Sequence, residues 1–141
     1  MRVKIKRLDK SLPLPAYSTA GSVCFDLYSR IKMNIKPHTL ALIPTNMIIK
    51  VPKGYMLHVL ARSSTPKKGL LIPHGMGIID QDYHGPNDEI FFQVLNYTSR
   101  NLLITRGERI AQGYIIAIQK VSFKEDLELK KKNRGGFGST G

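Results

Sequence analysis

Met47-Ile48-Ile49-Lys50-Val51-Pro52-Lys53-Gly54-Tyr55-Met56-Leu57-His58-Val59-Leu60 sets two apolar runs on either side of a Pro-Lys-Gly triplet. Short runs rich in Ile, Val and aromatics, closed by Pro and Gly, read as strands joined by a turn. The pattern repeats outward in both directions. Upstream, Val3 to Leu8 alternates as a strand with one solvated face, and Pro13 and Pro15 mark an extended connection. Tyr17 to Ser22 is turn material, and Val23 to Tyr28 and Thr39 to Pro44 are further strands. Downstream, Gly77 to Ile79 runs toward a polar tip, with Ile90 to Asn96 as its return strand. Asn101 to Ile104 and Tyr114 to Ile118 follow. No window of about 11 residues or more shows a helical stripe. The pattern is all-β, in a jelly-roll-like or distorted β-barrel.

At 141 residues the chain is one domain, read here as a β-domain over residues 1–126 and an arm over 127–141. No apolar run approaches the ~18–20 residues a membrane-spanning helix needs. Met1 to Lys6 has charges but no apolar segment after them, which argues against a secretory leader. One cysteine, Cys24, excludes an internal disulfide and fits a reducing compartment. The expected setting is the cytoplasm, or a host cell's cytoplasm or nucleus if a virus encodes the chain. Lys and Arg number 22 against 10 Asp and Glu, a formal charge of +12. Such an excess attracts polyanions, including nucleic acid. The charge is scattered, and aromatics do not alternate with basic residues as a base-stacking platform would.

Candidate chemistry gathers in five places. Gly77-Ile78-Ile79-Asp80-Gln81-Asp82-Tyr83-His84-Gly85 brings two carboxylates and an aromatic between glycines. If the strand runs on, Asp80 and Asp82 share a face; an Asp- and Gly-rich hairpin turn is the plainer reading. Asp26 sits between Phe25 and Leu27, so if buried it needs a partner. It supports a site or lies at an edge. Ala61-Arg62-Ser63-Ser64-Thr65-Pro66 offers a guanidinium fork and hydroxyls, a phosphate cradle or the entry to a short helix. Lys67 and Lys68 add positive potential. Gly107-Glu108-Arg109-Ile110-Ala111-Gln112 is a glycine turn with Arg109 and Gln112 as donors, or simply a strand connection. Arg134-Gly135-Gly136-Phe137-Gly138-Ser139-Thr140-Gly141 holds too little apolar material to pack. It is a disordered end, or a flap with Arg134 for phosphates and Phe137 to stack on a base. His58, in an apolar run without ligand spacing around it, reads as a structural histidine. His38, His58, His74 and His84 form no zinc set with Cys24, and there is no Walker-type loop.

As a set, these five segments resemble the five ordered motifs of the trimeric dUTP pyrophosphatases, the first being Gly21 to Ser29. The resemblance spans nearly the whole chain. It is carried most specifically by Gly-Ile-Ile-Asp-x-Asp-Tyr-x-Gly and by the glycine-rich end. It implies a dUTPase-like fold and hydrolysis of dUTP to dUMP and pyrophosphate, with Mg²⁺ carried on the triphosphate. Asp80 would activate water against the α-phosphorus, and Tyr83 would pack on the deoxyribose and exclude a 2′-hydroxyl. Arg62, Ser63 and Ser64 would contact phosphates, with Ser64 and Gln112 as further positioning groups. Gly77 and Ile79 would line the substrate, with Asp82 in support. Asp26 would support the site, with an indirect link to the metal through water. Arg134, Phe137, Gly138 and Ser139 would close over the nucleotide. It further implies a homotrimer with shared sites, the arm reaching across from another chain.

The chain departs from the family pattern in three places. Val23-Cys24 stands where Ala-Gly is usual, His74 where some relatives carry an Asn that reads uracil, and the Pro86 to Glu89 tip is long. Two other readings stay open. One is a dCTP deaminase of the same fold, which needs an acid or base near the cytosine ring; Glu89 is the candidate. The other is a basic β-domain binding nucleic acid through its surface.

Overall fold

A computed structural model describes residues 1–125 and Gly135. The arm assigned to residues 127–141, with Arg134, Phe137, Gly138 and Ser139, otherwise lies outside the described residues. The architecture is all-β, as the alternation predicts. An antiparallel five-stranded sheet runs in the order β2 (Ala16–Tyr17), β3 (Phe25–Tyr28), β12 (Arg109–Ala117), β7 (Tyr55–Ala61) and β9 (Gly77–Ile79). A three-stranded sheet holds β5 (Leu40–Pro44), β10 (Phe91–Asn96) and β8 (Leu70–Leu71). Two ribbons complete the set: β1 (Lys4–Arg7) with β6 (Met47–Lys50), and β4 (Met33–Ile35) with β11 (Leu102–Ile104). The sheets are jelly-roll-like but do not close into a barrel.

The core forms where the inward halves of these strands meet. Leu27, Ile43, Leu57, Ile90, Val94 and Ala111 are wholly buried, with Phe92, Ile49 and Val59 nearly so. On the three-stranded sheet Ile43 pairs with Phe92 and Ala41 with Val94, which sends one face inward. The alternate residues Leu40, Leu42, Phe91 and Leu71 stay exposed on its other face. The Pro52-Lys53-Gly54 turn forms, with Gly54 at φ 80° and Tyr55 N donating to Pro52 O at 3.1 Å. It sends its two strands into different sheets, since β6 pairs with β1 and β7 with β12 and β9.

Two expectations need correction. Gly77–Ile79 and the run from Ile90 to Asn96 do not form a hairpin. β9 pairs with β7, Ile79 opposite Leu57, whereas β10 pairs with β5 and β8. Residues 80–90 instead cross from one sheet to the other. The reason is burial: Ile90, Phe92 and Val94 fill the core only beside β5, a distant strand in sequence. The last strand is also longer than expected. It starts at Arg109, directly after the Gly107 turn (φ 79°), with a bulge between Arg109 and Ala111. Gly113 lets three strands meet there, because a Cβ would stand 3.0 Å from Phe25 Cε2 and 3.1 Å from His58 O.

Candidate active site

Asp26 is the electrostatic centre of the five-stranded sheet. β3 places it opposite Gln112 on β12, and Gln112 stands opposite Leu60 on β7. Asp26 is buried, and its charge is matched as burial demands. Arg62 Nε donates to Oδ1 at 2.9 Å; Ser18 Oγ at 2.8 Å and Arg109 Nη1 at 3.2 Å donate to Oδ2. Burial alone would push the carboxyl up, but Ser18, Arg62 and Arg109 outweigh it and hold Asp26 below the usual carboxylate range. Gln112 Nε2 donates to Ala61 O at 2.8 Å, tying β12 to the strand end that carries Arg62.

At that strand end Arg62 to Thr65 make a tight turn, with Thr65 N donating to Arg62 O at 2.9 Å. Pro66–Lys68 continues as one 3-10 turn, so the helix entry expected of Ser-Thr-Pro exists. Thr65 does not cap it with its side chain; its Oγ1 accepts from Arg62 N at 3.0 Å instead. Ser63 is exposed and Ser64 half-buried, and their N–H groups have no partner among the described residues. Open amides and hydroxyls beside a guanidinium are what an anion needs. Lys68 is spoken for, since it pairs with Glu108, which also accepts from Thr105 N at 3.0 Å. Those partners hold Glu108 low despite its burial.

Asp80 lies elsewhere. The strand stops at Ile79, so strand periodicity no longer relates Asp80 to Asp82; both are exposed. Gln81 turns back and donates Nε2 to Tyr55 O at 2.9 Å. A cleft of about 390 Å³ is lined there by Asp80, Gln81, Asp82 and His84 together with Tyr55, Met56, Ile118 and Lys120. Tyr83 is 38% exposed, and its Oη donates to Glu89 O at 3.0 Å. Ile79 turns toward the core and Gly77 packs beside Val59, so both would meet a ligand through their backbone. His74 is exposed, with Nδ1 held at 2.9 Å by Met76 O.

The single chain therefore does not unite the predicted site. Asp80 follows Ile79, which faces Leu57, whereas Asp26 and Gln112 lie level with Leu60. That offset is about 13 Å along the strands, and three inter-strand spacings add about 14 Å sideways. Asp26, Arg62 and Gln112 form one half and Asp80, Asp82 and Tyr83 another, on the order of 20 Å apart by those spacings.

The same geometry tells against the deaminase reading. Glu89, the deaminase candidate, is buried and takes both Arg30 Nε at 2.9 Å and Nη2 at 2.8 Å, so it has no freedom to serve a ring. His58 is structural as expected, its Nδ1 2.7 Å from Tyr114 Oη. Val23 is 80% exposed, so its extra bulk points away from β3 and leaves Asp26 undisturbed. Sequence reasoning missed Ser18 and the Arg30–Glu89 pair. Neither carries a local signal; both contacts come from strand register and chain crossing.

The dUTPase family model matches residues 10–141. The chain belongs to the dUTPase family. Across its full length it is 40% identical to the deoxyuridine 5'-triphosphate nucleotidohydrolase of Dictyoglomus turgidum, of which 99% is covered. Among solved structures, the Streptococcus mutans dUTPase is 28% identical with a TM-score of 0.77, over 84% of this chain and 98% of that one. A Staphylococcus bacteriophage 80alpha dUTPase with dUPNHPP superposes with a TM-score of 0.86 over 99% of this chain and 98% of its own, at 24% identity. The last shows the shared dUTPase fold. Membership makes the chain an enzyme of nucleotide metabolism, a hydrolase.

Among the described residues, no three His, Cys, Asp or Glu side chains gather to hold a metal ion. Asp26 already faces two guanidinium groups, which makes it a poor seat for a second kind of cation. A resident metal site does not fit this donor set.

Proposed function

We propose that the protein hydrolyses Mg²⁺-bound dUTP to dUMP and pyrophosphate, at sites assembled between copies of the chain in a homotrimer. The observation that carries this is the division of the site. One half supplies phosphate donors around Arg62, the other the exposed carboxylates Asp80 and Asp82, and neither suffices alone. A second copy brings them together. The apolar outer face formed by Leu40, Leu42, Leu71 and Phe91 supports such assembly, since a contiguous exposed patch of this kind marks an interface.

In this reading Arg62, the open amides and hydroxyls of Ser63 and Ser64, and Gln112 hold the triphosphate oxygens. Asp26 holds Arg62 in place. Metal carried on the phosphates would supply positive charge to the leaving group. Asp80 takes a proton from water as the water oxygen bonds the α-phosphorus, and the bond from that phosphorus to the bridging oxygen breaks. Pyrophosphate leaves with the electron pair. Asp82 supports Asp80. Tyr83 packs against the deoxyribose where a 2′-hydroxyl would stand, and Gly77 and Ile79 line the pocket with backbone. Base recognition falls to those backbone groups and His74. The arm, with Arg134, Phe137, Gly138 and Ser139, closes from a neighbouring chain. Cytoplasm is the proposed setting. Nucleic-acid affinity from the +12 charge would be incidental.

The test is pyrophosphate release from dUTP, dCTP, dTTP, dATP, dGTP and UTP, with Mg²⁺ and with EDTA, following ammonia from dCTP. Release from dUTP alone, lost in EDTA and weak with UTP, is expected. Ammonia from dCTP, or equal turnover of all six, would overturn the reading.

A further inference from the structure

Residues 80–90 belong to no sheet, yet they carry the tyrosine that must be accurately placed for sugar selection. What fixes it is an ion pair between a buried carboxylate and a partly exposed guanidinium. Tyr83 Oη ends on the carbonyl of Glu89 at 3.0 Å. Glu89 is 4% exposed, and its carboxylate accepts two bonds from Arg30 and a third from Asn46 N at 2.8 Å. Its own N–H donates to Asn87 O at 2.8 Å, and the next residue, Ile90, donates to Met47 O at 2.9 Å. Holding the phenolic oxygen as well as Cα fixes both ends of the ring's long axis, and hence where the ring stands. Arg30 reaches this point from the segment just after β3, the strand that carries Asp26. Bidentate guanidinium–carboxylate pairing has fixed geometry as well as strength, so it suits a locating role.

We infer that Arg30 and Glu89 are positioning residues for Tyr83, and through it determine discrimination between deoxyribose and ribose nucleotides. This rests on the reading of Tyr83 given above. A misplacement of 1 Å costs up to about a hundredfold where contact geometry decides rate, so loss of the clamp need not unfold the protein to be felt.

The experiment compares kcat/KM for dUTP with kcat/KM for UTP in the full chain. The variants are Glu89→Gln, Tyr83→Phe, their double mutant and Tyr83→Ala, each checked for native circular dichroism. Glu89→Gln keeps the shape and removes the charge; Tyr83→Phe keeps the ring, removes the bond and spares the core. Each is expected to lower the dUTP:UTP ratio about tenfold, mainly by raising turnover of UTP, with the double mutant no worse than Tyr83→Phe. An unchanged ratio in Tyr83→Phe, or additive effects in the double mutant, would overturn the inference while a lowered ratio in Tyr83→Ala kept the role of Tyr83. An unchanged ratio in Tyr83→Ala would overturn both. Should Glu89→Gln fail to fold, Tyr83→Phe decides alone.

Discussion

Replacing Asp26 by Asn removes a buried charge and leaves two guanidinium groups facing a neutral amide. The loss follows from the contacts. The aspartate side chain is 8% exposed, and it accepts from Arg62 at 2.9 Å, Ser18 at 2.8 Å and Arg109 at 3.2 Å. A hydrogen bond to a charged group contributes roughly 1.5–3 kcal/mol, and breaking a buried pair costs about 3–5 kcal/mol. Arg109 is half exposed, so solvent screens its share to well under 1 kcal/mol. Asn keeps one acceptor for Arg62 but cannot accept from both remaining donors. The expected cost is about 3 kcal/mol at pH 7. The pH dependence has a definite sign. Because folding lowers the Asp26 pKa, the unfolded chain takes up the proton first. The charge's contribution is fully present above the unfolded value of about 3.9 and is lost as pH falls through the lower folded value. Urea unfolding at one fixed protein concentration, at pH 7 and in steps below pH 4, measures the gap between the two proteins. A gap below about 1 kcal/mol at pH 7, or one that persists undiminished once the carboxyl is protonated, would refute the reasoning.

Other expectations follow from packing. Tyr114→Phe strands the buried His58 Nδ1, now 2.7 Å from the hydroxyl, and should cost about 1–3 kcal/mol by urea unfolding. Gly77→Ala should fold normally, since the new Cβ would meet Val59 Cβ at an ordinary 3.4 Å. Its turnover of dUTP should nevertheless fall, because backbone approach to the nucleotide is obstructed; full activity would remove Gly77 from the pocket. Gly113→Ala, by contrast, should lose stability by about 1–3 kcal/mol in the same unfolding assay, with Phe25 and His58 O at 3.0 and 3.1 Å from the added atom.

Much of this was legible in the chain. Turn chemistry around Pro52-Lys53-Gly54 and the short apolar runs sufficed for an all-β fold, because those signals are local. Asp26 between two apolar neighbours had to be paired if buried, and it is. What failed was partner choice. Adjacent apolar runs suggested that Gly77–Ile79 returns along β10, but strand pairing is set by which faces fill the core, and β5 is the better complement for Phe92 and Val94. For the same reason Ser18 and Arg30 gave no sign of their roles. The division of the site into halves was likewise visible only through register, which places Ile79 beside Leu57 and Gln112 beside Leu60.

That division is tested most directly by complementation. Asp80→Asn and Arg62→Gln chains are each prepared alone, then unfolded, mixed in equal amounts and refolded together, and dUTP hydrolysis is measured. Separately each should be nearly inactive. If the halves come from different chains, random assembly gives about a quarter of the sites an intact Asp80 and an intact Arg62, and activity returns to that level. Mixed trimers with no more activity than the separate variants would contradict the account.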